Sequence, residues 1–449
     1  MKSFSVMFLA VLTGTAAAQP GAQPAAAPPA PSPSPAPAPD APASGPEVLT
    51  LERAIEIAMK QQPTLRQSQA QVEAARGRVD LAHVARTPTV TLDATVGTGS
   101  TQRLGTGSDF FSHAESTGLG AQASWRIYDF GLTSANIRAA ELSADAAAAA
   151  VGTATLDIRT NVEVAFLEAV ARRRLVLVAQ TTVKSEDTHL DQARRFVAAQ
   201  AKDPIEVAQA QARDANAKSA LAQAMSNEAI ALANLRSAIG WVDPANSPTV
   251  ANSWPTPDEA DPPALASLVD SARKARPEIV QLDKQLAAAD ASLTAAHAER
   301  RPILSASAST QWSPGTSNWS PEPSWNAGLT LSWSLFDGGR SAADVRIASA
   351  NLASAAAQRD ALLVSLTSQL DSSRAQIVAN RENARASTEA VAAARAQLQL
   401  AEARYAQGLG SQIELADAQT AVTTAEGNLV QAEFQLASAW AELHRAIAQ

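Results

Sequence analysis

The chain states one structural plan twice. WRIYDFGLTSANIR, starting at Trp125, returns as WSLFDGGRSAADVR, starting at Trp333. Trp125/Trp333, Asp129/Asp337, Gly131/Gly339 and Arg138/Arg346 share one offset of 208 residues (333 − 125). The same offset links Ile205-Glu206 to Ile413-Glu414, Leu235 to Leu443 and Ile239 to Ile447. A register held from Trp125 to Ile239 marks a whole unit repeated, so the fold is read as two copies of one plan. That favours a pore, a pseudo-symmetric clamp or a long bundle over a single-cleft enzyme.

Composition narrows this further. Aromatics make up only 4% of the chain and Ala dominates, so helices packed through small residues fit better than a bulky globular core. A net charge of −8 without a basic stripe argues against a nucleic-acid partner. Residues 1–18 read as a secretory signal peptide: Lys2, an apolar run from Val6 to Leu12, and small residues at Ala16-Ala17-Ala18. The run is too short for a transmembrane helix. With no Cys, the chain has neither disulfides nor a lipid-modified cysteine. Residues 19–46, nearly all Pro, Ala, Ser and Gly, read as an extended tether.

Beyond the tether, the chain divides into a first repeat (47–240), a connector (241–261) and a second repeat (262–449). Each repeat runs helix, strand, loop, strand, very long helix, turn, helix. Pro63 and Pro88 punctuate the first helices of copy one; Pro277 and Pro302 do so in copy two. The period then becomes two. Val90, Leu92, Ala94 and Val96 alternate with Thr89, Thr91, Asp93 and Thr95, and the next strand sets Leu119, Ala121, Ala123, Trp125 and Ile127 on one face. In copy two, Leu304, Ala306, Ala308 and Trp312 face one way, as do Trp325, Ala327, Leu329, Leu331, Trp333 and Leu335. Strands of about ten residues with one apolar face and Trp near their ends fit a membrane β-barrel wall. The alternative is a soluble antiparallel sheet with one buried face.

Helices then run from Thr133 to about Gln200 and from Ser341 to about Gln407, roughly 100 Å each at ~1.5 Å per residue. A seven-residue beat (Leu363, Leu370, Ile377, Ala384, Val391, Leu398, Tyr405) recurs in the return helix (Leu415, Val422, Leu429, Leu436, Leu443), the mark of coiled-coil packing. Four strands cannot close a barrel in lipid, where open edges are not tolerated. If the strands span a membrane, chains must pool them, and three chains would give twelve.

The paired motifs IYDFG (127–131) and LFDGGR (335–340), the helix starts LERAIEIAMKQQP and LASLVDSARKARP, and the hairpin RYAQGLGSQIELADAQTAV (404–422) resemble the TolC-type outer-membrane efflux proteins. The resemblance covers about residues 47–449. It implies a mainly α fold with a small β part: a homotrimer whose twelve-stranded outer-membrane β-barrel continues into a periplasmic α-helical barrel. It also implies a Gram-negative outer-membrane exit duct for efflux or type I secretion. Its partners would be a periplasmic adaptor, an inner-membrane pump of RND or ABC type, and outer-membrane lipid.

By the same resemblance, Glu414 and Asp417 match lumen-facing acids that narrow the periplasmic entrance. Their i, i+3 spacing places them on one helical face, and threefold repetition would stack two acidic rings. Tyr405 matches the gating tyrosine and Glu206 its acidic partner. Gly410 stands where some members carry a gating arginine, so the latch between neighbouring hairpins is either absent or built otherwise, with Lys202 or Arg404. Arg404, Gly408, Gly410, Asp203 and Pro204 fall at the hairpin tips, where an adaptor docks. Copy one has Pro204 in place of Gln412 and lacks a counterpart of Gly408, so the two tips are expected to differ in shape.

No nucleophile elbow, P-loop or zinc motif is present, so no enzyme activity, metal or cofactor is expected. His83 and His297 are repeat partners, read as a shared helix-surface position. A rival reading is a trimeric coiled-coil adhesin with a barrel anchor. An anchor of that type would gather its strands at one chain end. Here the strand pairs lie more than 200 residues apart and AELHRAIAQ ends the chain as helix.

Overall fold

A computed structural model describes residues 48–101, 112–242, 249–250, 261–314 and 321–448. The predicted signal peptide and tether lie outside the described residues, as do the middles of both outer loops and most of the connector. After a short strand β1 (Val48–Leu49), copy one runs α1 (Leu51–Gln61), α2 (Pro63–Val84), β2 (Thr89–Thr101), β3 (Ser112–Tyr128), α3 (Leu132–Ala198) and α4 (Ile205–Ile239). A second short strand, β4 (Thr249–Val250), precedes copy two. That copy runs α5 (Leu265–Ala275), α6 (Pro277–Ala298), β5 (Ile303–Pro314), β6 (Pro321–Ser332), α7 (Arg340–Ala406) and α8 (Gln412–Ala446). Corresponding helices are equal in length: 11, 22, 67 and 35 residues in each copy.

The four long strands form one antiparallel sheet in the order β2-β3-β5-β6, which leaves β2 and β6 as edges among the described residues. In-register rows such as Val90–Ala123–Ala308–Ala327 make its apolar face. That face is open: Val90 is 75% exposed, Leu92 74% and Leu329 70%. The alternation departs from expectation at two points. A register shift between Arg126 and Tyr128 brings Tyr128 opposite Leu304, so the bulge breaks the series at Ile127. Strand β6 stops at Ser332, leaving Trp333 and Leu335 beyond it. Strand β3, at 17 residues, also exceeds the predicted length. The parallel pair β1–β4 was not anticipated at all.

The long helices pair by their heptads. Leu370, Ile377, Val391 and Tyr405 on α7 and Leu415, Val422, Leu436 and Leu443 on α8 are buried. Each copy also has a core where its short first helix meets its long pair. In copy one, Ala54 and Ala58 of α1 pack on Val162, Phe166, Leu235 and Ile239. In copy two, Leu268 and Ala272 of α5 pack on Leu366, Leu370, Trp440 and Leu443. The copies meet where α3 packs on α6 through Leu132, Ala135, Leu142, Ala288, Ala291 and Ala295, and along α3 and α8, whose links include Arg445 to Asp157 (2.5 Å), Thr182 to Thr423 (3.0 Å), Ser185 to Gln419 (2.7 Å), and Arg174 to Glu433. Among the described residues no helix is long and apolar enough to cross a membrane.

Among the described residues, three other than glycine adopt positive φ: Phe130 (52°), Gln200 (56°) and Ala448 (57°). Their partners at the 208 offset, Gly338 (67°), Gly408 (74°) and Gly240 (72°), are all glycines in the same region. A side chain there costs about 1–2 kcal/mol through crowding of Cβ against the backbone. The repeat therefore keeps backbone conformation where it has not kept the residue.

Candidate functional site

Two places carry the motifs. The first is the junction where strand becomes long helix. Asp129 Oδ2 accepts from the Thr133 N–H (2.8 Å) and its hydroxyl, and Oδ1 from the Gly131 N–H (3.3 Å). Asp337 repeats this with the Ser341 N–H (2.8 Å) and hydroxyl and the Gly339 N–H (2.9 Å). The D-x-G-x-[ST] spacing thus satisfies free N–H groups at a helix start and sets a negative charge on its positive end. Hydrogen bonds from the Ser341 hydroxyl and N–H and from Gly339 hold the Asp337 carboxyl down at about 2. Burial pushes Asp129 up, but its bonds to Thr133 and Gly131 and the Arg126 charge outweigh that and lower it. The two repeated tryptophans tie the ends of these strands to the neighbouring helix-to-strand turns. Trp125 Nε1 donates to Arg86 O (2.9 Å) and Trp333 Nε1 to Arg300 O (3.1 Å).

The second place is the far end of the long helices, where α3 turns into α4 and α7 into α8. Tyr405 is 1% exposed. Its hydroxyl donates to Glu206 Oε2 at 3.1 Å, and its ring meets Phe196 edge-on at 5.6 Å. Burial, together with the Glu206 charge and hydrogen bond, pushes the Tyr405 hydroxyl up to about 12, so it remains a donor. Lys202 sits among these groups, 3.5 Å from Glu206 Oε1 and 5.5 Å from the Tyr405 ring centre. It also donates to Gly410 O at 3.4 Å, joining the tip of one copy to that of the other.

Arg404 does something different. It pairs with Glu414 Oε1 at 3.2 Å, inside hairpin two. Glu414 also completes a helix start, its N–H donating to the Ser411 hydroxyl at 3.1 Å. The S-x-x-E spacing of Ser411 to Glu414 is the sequence signal of such a cap. Asp417 is exposed, with no ion pair among the described residues, and lines a groove with Ala386, Ala390, Ala421 and Ala425. Gly410 is buried, and a Cβ there would lie 3.0 Å from Tyr405 N and 3.2 Å from Arg404 C. An arginine at this position would have to shift the turn.

The tips differ less than expected. The Ala199, Gln200 and Ala201 N–H groups bond to Arg195, Val197 and Phe196, and Gln407, Gly408 and Leu409 repeat the pattern on Ala403, Tyr405 and Arg404. Gln200 takes the left-handed conformation that Gly408 takes in copy two. The real difference follows the turn. Exposed Asp203 accepts the Glu206 N–H through its backbone, and Pro204 begins α4 without a side-chain cap. Helix α8 is capped by Ser411 instead.

A sheet with one open apolar face, continued by paired helices of this length, defines an outer-membrane channel protein. A family profile described as outer membrane efflux protein matches residues 54–241 and 268–449, and the chain belongs to that family. The chain is 32% identical to protein CyaE of Bordetella pertussis over 264 residues, 59% of this chain and 54% of that one. The match thus spans about half the length of that relative. It is 24% identical to nodulation protein T of Rhizobium leguminosarum bv. trifolii over 401 residues, 88% of this chain and 84% of that one. Among solved structures, the Campylobacter jejuni CmeC outer membrane channel superposes with a TM-score of 0.77 at 16% identity, covering 88% of this chain and 85% of that one. The family consists of outer-membrane channels rather than enzymes, and places this protein in the outer membrane with a large periplasmic helical part.

Proposed function

We propose that three copies assemble into an exit duct that carries substrates from a periplasmic adaptor and an inner-membrane pump to the exterior, in efflux or type I secretion. The observation that carries this is the four-stranded sheet with two edges and an exposed apolar face. Lipid tolerates no unpaired strand edge, and three such sheets supply the strands of a closed barrel larger than the smallest known. The long helices then form the periplasmic tube, and the turns at their far ends form its entrance.

The closed entrance rests on Tyr405, Glu206 and Lys202, which hold α7 and the two tips together within one chain. Glu414, charge-paired with Arg404, and Asp417, without an ion pair among the described residues, are the acids that would ring the mouth. Pro204, Asp203, Gly408 and Gly410 present the adaptor-facing turns. The test is conductance in planar bilayers before and after Glu414→Ala and Asp417→Ala. The expected result is a low-conductance, cation-preferring pore whose selectivity weakens more in Asp417→Ala than in Glu414→Ala. A protein that forms no pore, or one whose selectivity ignores both acids, contradicts the reading.

A further inference from the structure

Phe130 is a bulky residue in a left-handed conformation that its partner position fills with glycine. Backbone strain of this kind persists where the side chain it directs is used. The Phe130 ring is 40% exposed and stacks edge-on against Tyr128 at 4.7 Å. The bulge after Arg126 sets Tyr128 opposite Leu304, a residue of the apolar outer face. Bulge and left-handed turn together deliver two aromatic rings to the outside of the wall at its periplasmic end. Copy two has no such ring pair among the described residues, since Gly338 stands where copy one has Phe130.

These rings wall a cavity of about 580 Å³ that also contains Trp125, Arg86, Arg126 and Asp129. Arg301, outside the lining, donates to the backbone oxygen of Phe130 at 2.9 Å. Asp129 is occupied by Thr133 and Gly131, and lies 3.7 Å from Arg126. Arg126 balances Asp129, while Arg86 in the lining and Arg301 beside Phe130 form no ion pair among the described residues, so the balance of charge here is positive. Trp125 also lines a second cavity of about 520 Å³, which climbs the apolar face past Ala123, Ala306, Ala308 and Ala327 to Leu329. A basic, aromatic cup opening onto an alanine-floored groove has the two chemistries of an anionic amphiphile in sequence.

We propose that this is a binding site for an anionic glycerophospholipid of the periplasmic leaflet, once per chain. The phosphodiester meets Arg86 and Arg301, Tyr128 and Phe130 flank the headgroup level, and an acyl chain lies in the alanine groove. The proposal rests on the sheet being the barrel wall. A protein with no cysteine for lipid attachment would gain a fixed depth in the membrane from such a site.

The test is native mass spectrometry of the detergent-purified full chain with phosphatidylglycerol, with phosphatidylcholine of the same chains, and with inorganic phosphate. Each is applied to wild type, Arg86→Ala/Arg301→Ala and Phe130→Gly. Glycine suits the backbone at 130, so that variant folds. Wild type is expected to retain phosphatidylglycerol, one per chain, in preference to phosphatidylcholine. Losing two exposed cation contacts weakens retention about fivefold or more, and Phe130→Gly weakens it too. Equal retention of both lipids, undiminished retention in the variants, or displacement by inorganic phosphate alone each overturns the proposal. Oligomer mass and conductance are recorded on the same samples. A monomer without conductance would count against the duct, while retention per chain still judges the site.

Discussion

The two copies share helix lengths and turn conformations, yet differ at positions that matter. Glycine holds the left-handed backbone at Gly338, Gly408 and Gly240, whereas Phe130, Gln200 and Ala448 hold it in the partner copy. Core filling is exchanged in the same way. Phe166 fills copy one where copy two has Arg374, and Trp440 fills copy two where copy one has Leu232. The backbone plan is what the assembly constrains, because equal units must fit one tube. Side chains are free to diverge wherever the plan survives. At the junction the copies keep Trp, Asp and Gly and differ at Phe130 against Gly338, whereas at the tips they differ in how the second helix begins.

That comparison can be broken first at the cores. Phe166→Ala should cost about 3–5 kcal/mol, since it leaves a cavity under α1. Arg374→Ala, at the equivalent site, should cost under about 1 kcal/mol. Hydrogen exchange in α1 and α4 against α5 and α8 reads the difference; equal loss in both variants would mean the cores are not exchanged.

A smaller effect is expected at the tips. Tyr405→Phe removes a hydrogen bond to a carboxylate that is partly buried, worth about 1–2 kcal/mol, and so raises open probability roughly tenfold. Single-channel recording checks it. An unchanged closed state would mean that the bond does not hold the entrance.

Smaller again is the backbone effect. Gln200→Gly should stabilise by up to about 1 kcal/mol and Gly408→Gln destabilise by a similar amount, as read in thermal unfolding. The same sign for both would break the equivalence of the two turns.

The least effect concerns acid. Asp337 has a folded value near 2, below the ordinary 3.8, so the unfolded chain takes up its proton first. Its stabilisation is complete above the ordinary value and is lost as pH falls through about 2. Exchange protection at the start of α7 should fall over that range, and Asp337→Asn should abolish the dependence. Asp129, lowered in the same direction, should behave alike at the start of α3.

Much of this was legible in the residues. The offset, the period change at Pro88 and Pro302, and the heptads through Leu370, Ile377 and Tyr405 placed the helices within a residue or two. These signals are periodic and long, so no single residue decides them. Strands β1 and β4, two residues each, have no period to read. The bulge at Ile127 and the left-handed Gln200 were hidden for another reason. A non-glycine residue gives no local sign of positive φ, and only comparison with the glycine of the other copy could have exposed it. Tyr405 and Glu206 lie 199 residues apart and were brought together by resemblance, not by spacing. That Arg404 serves Glu414 while Lys202 crosses between tips depends on side-chain reach, which no pattern encodes.

Closure of the wall by exchange of strand edges between chains is the most direct test. The chain has no cysteine, so pairs placed along the edges, such as Thr91→Cys on β2 with Asn326→Cys on β6, report without background. Scanning the second cysteine along β6 finds the register. Oxidation in outer membranes should link β2 of one chain to β6 of the next and drive the protein to a covalent species three chains in size, and no larger. Links confined within one chain, a product that stops at two chains, or an open ladder of products would contradict the account.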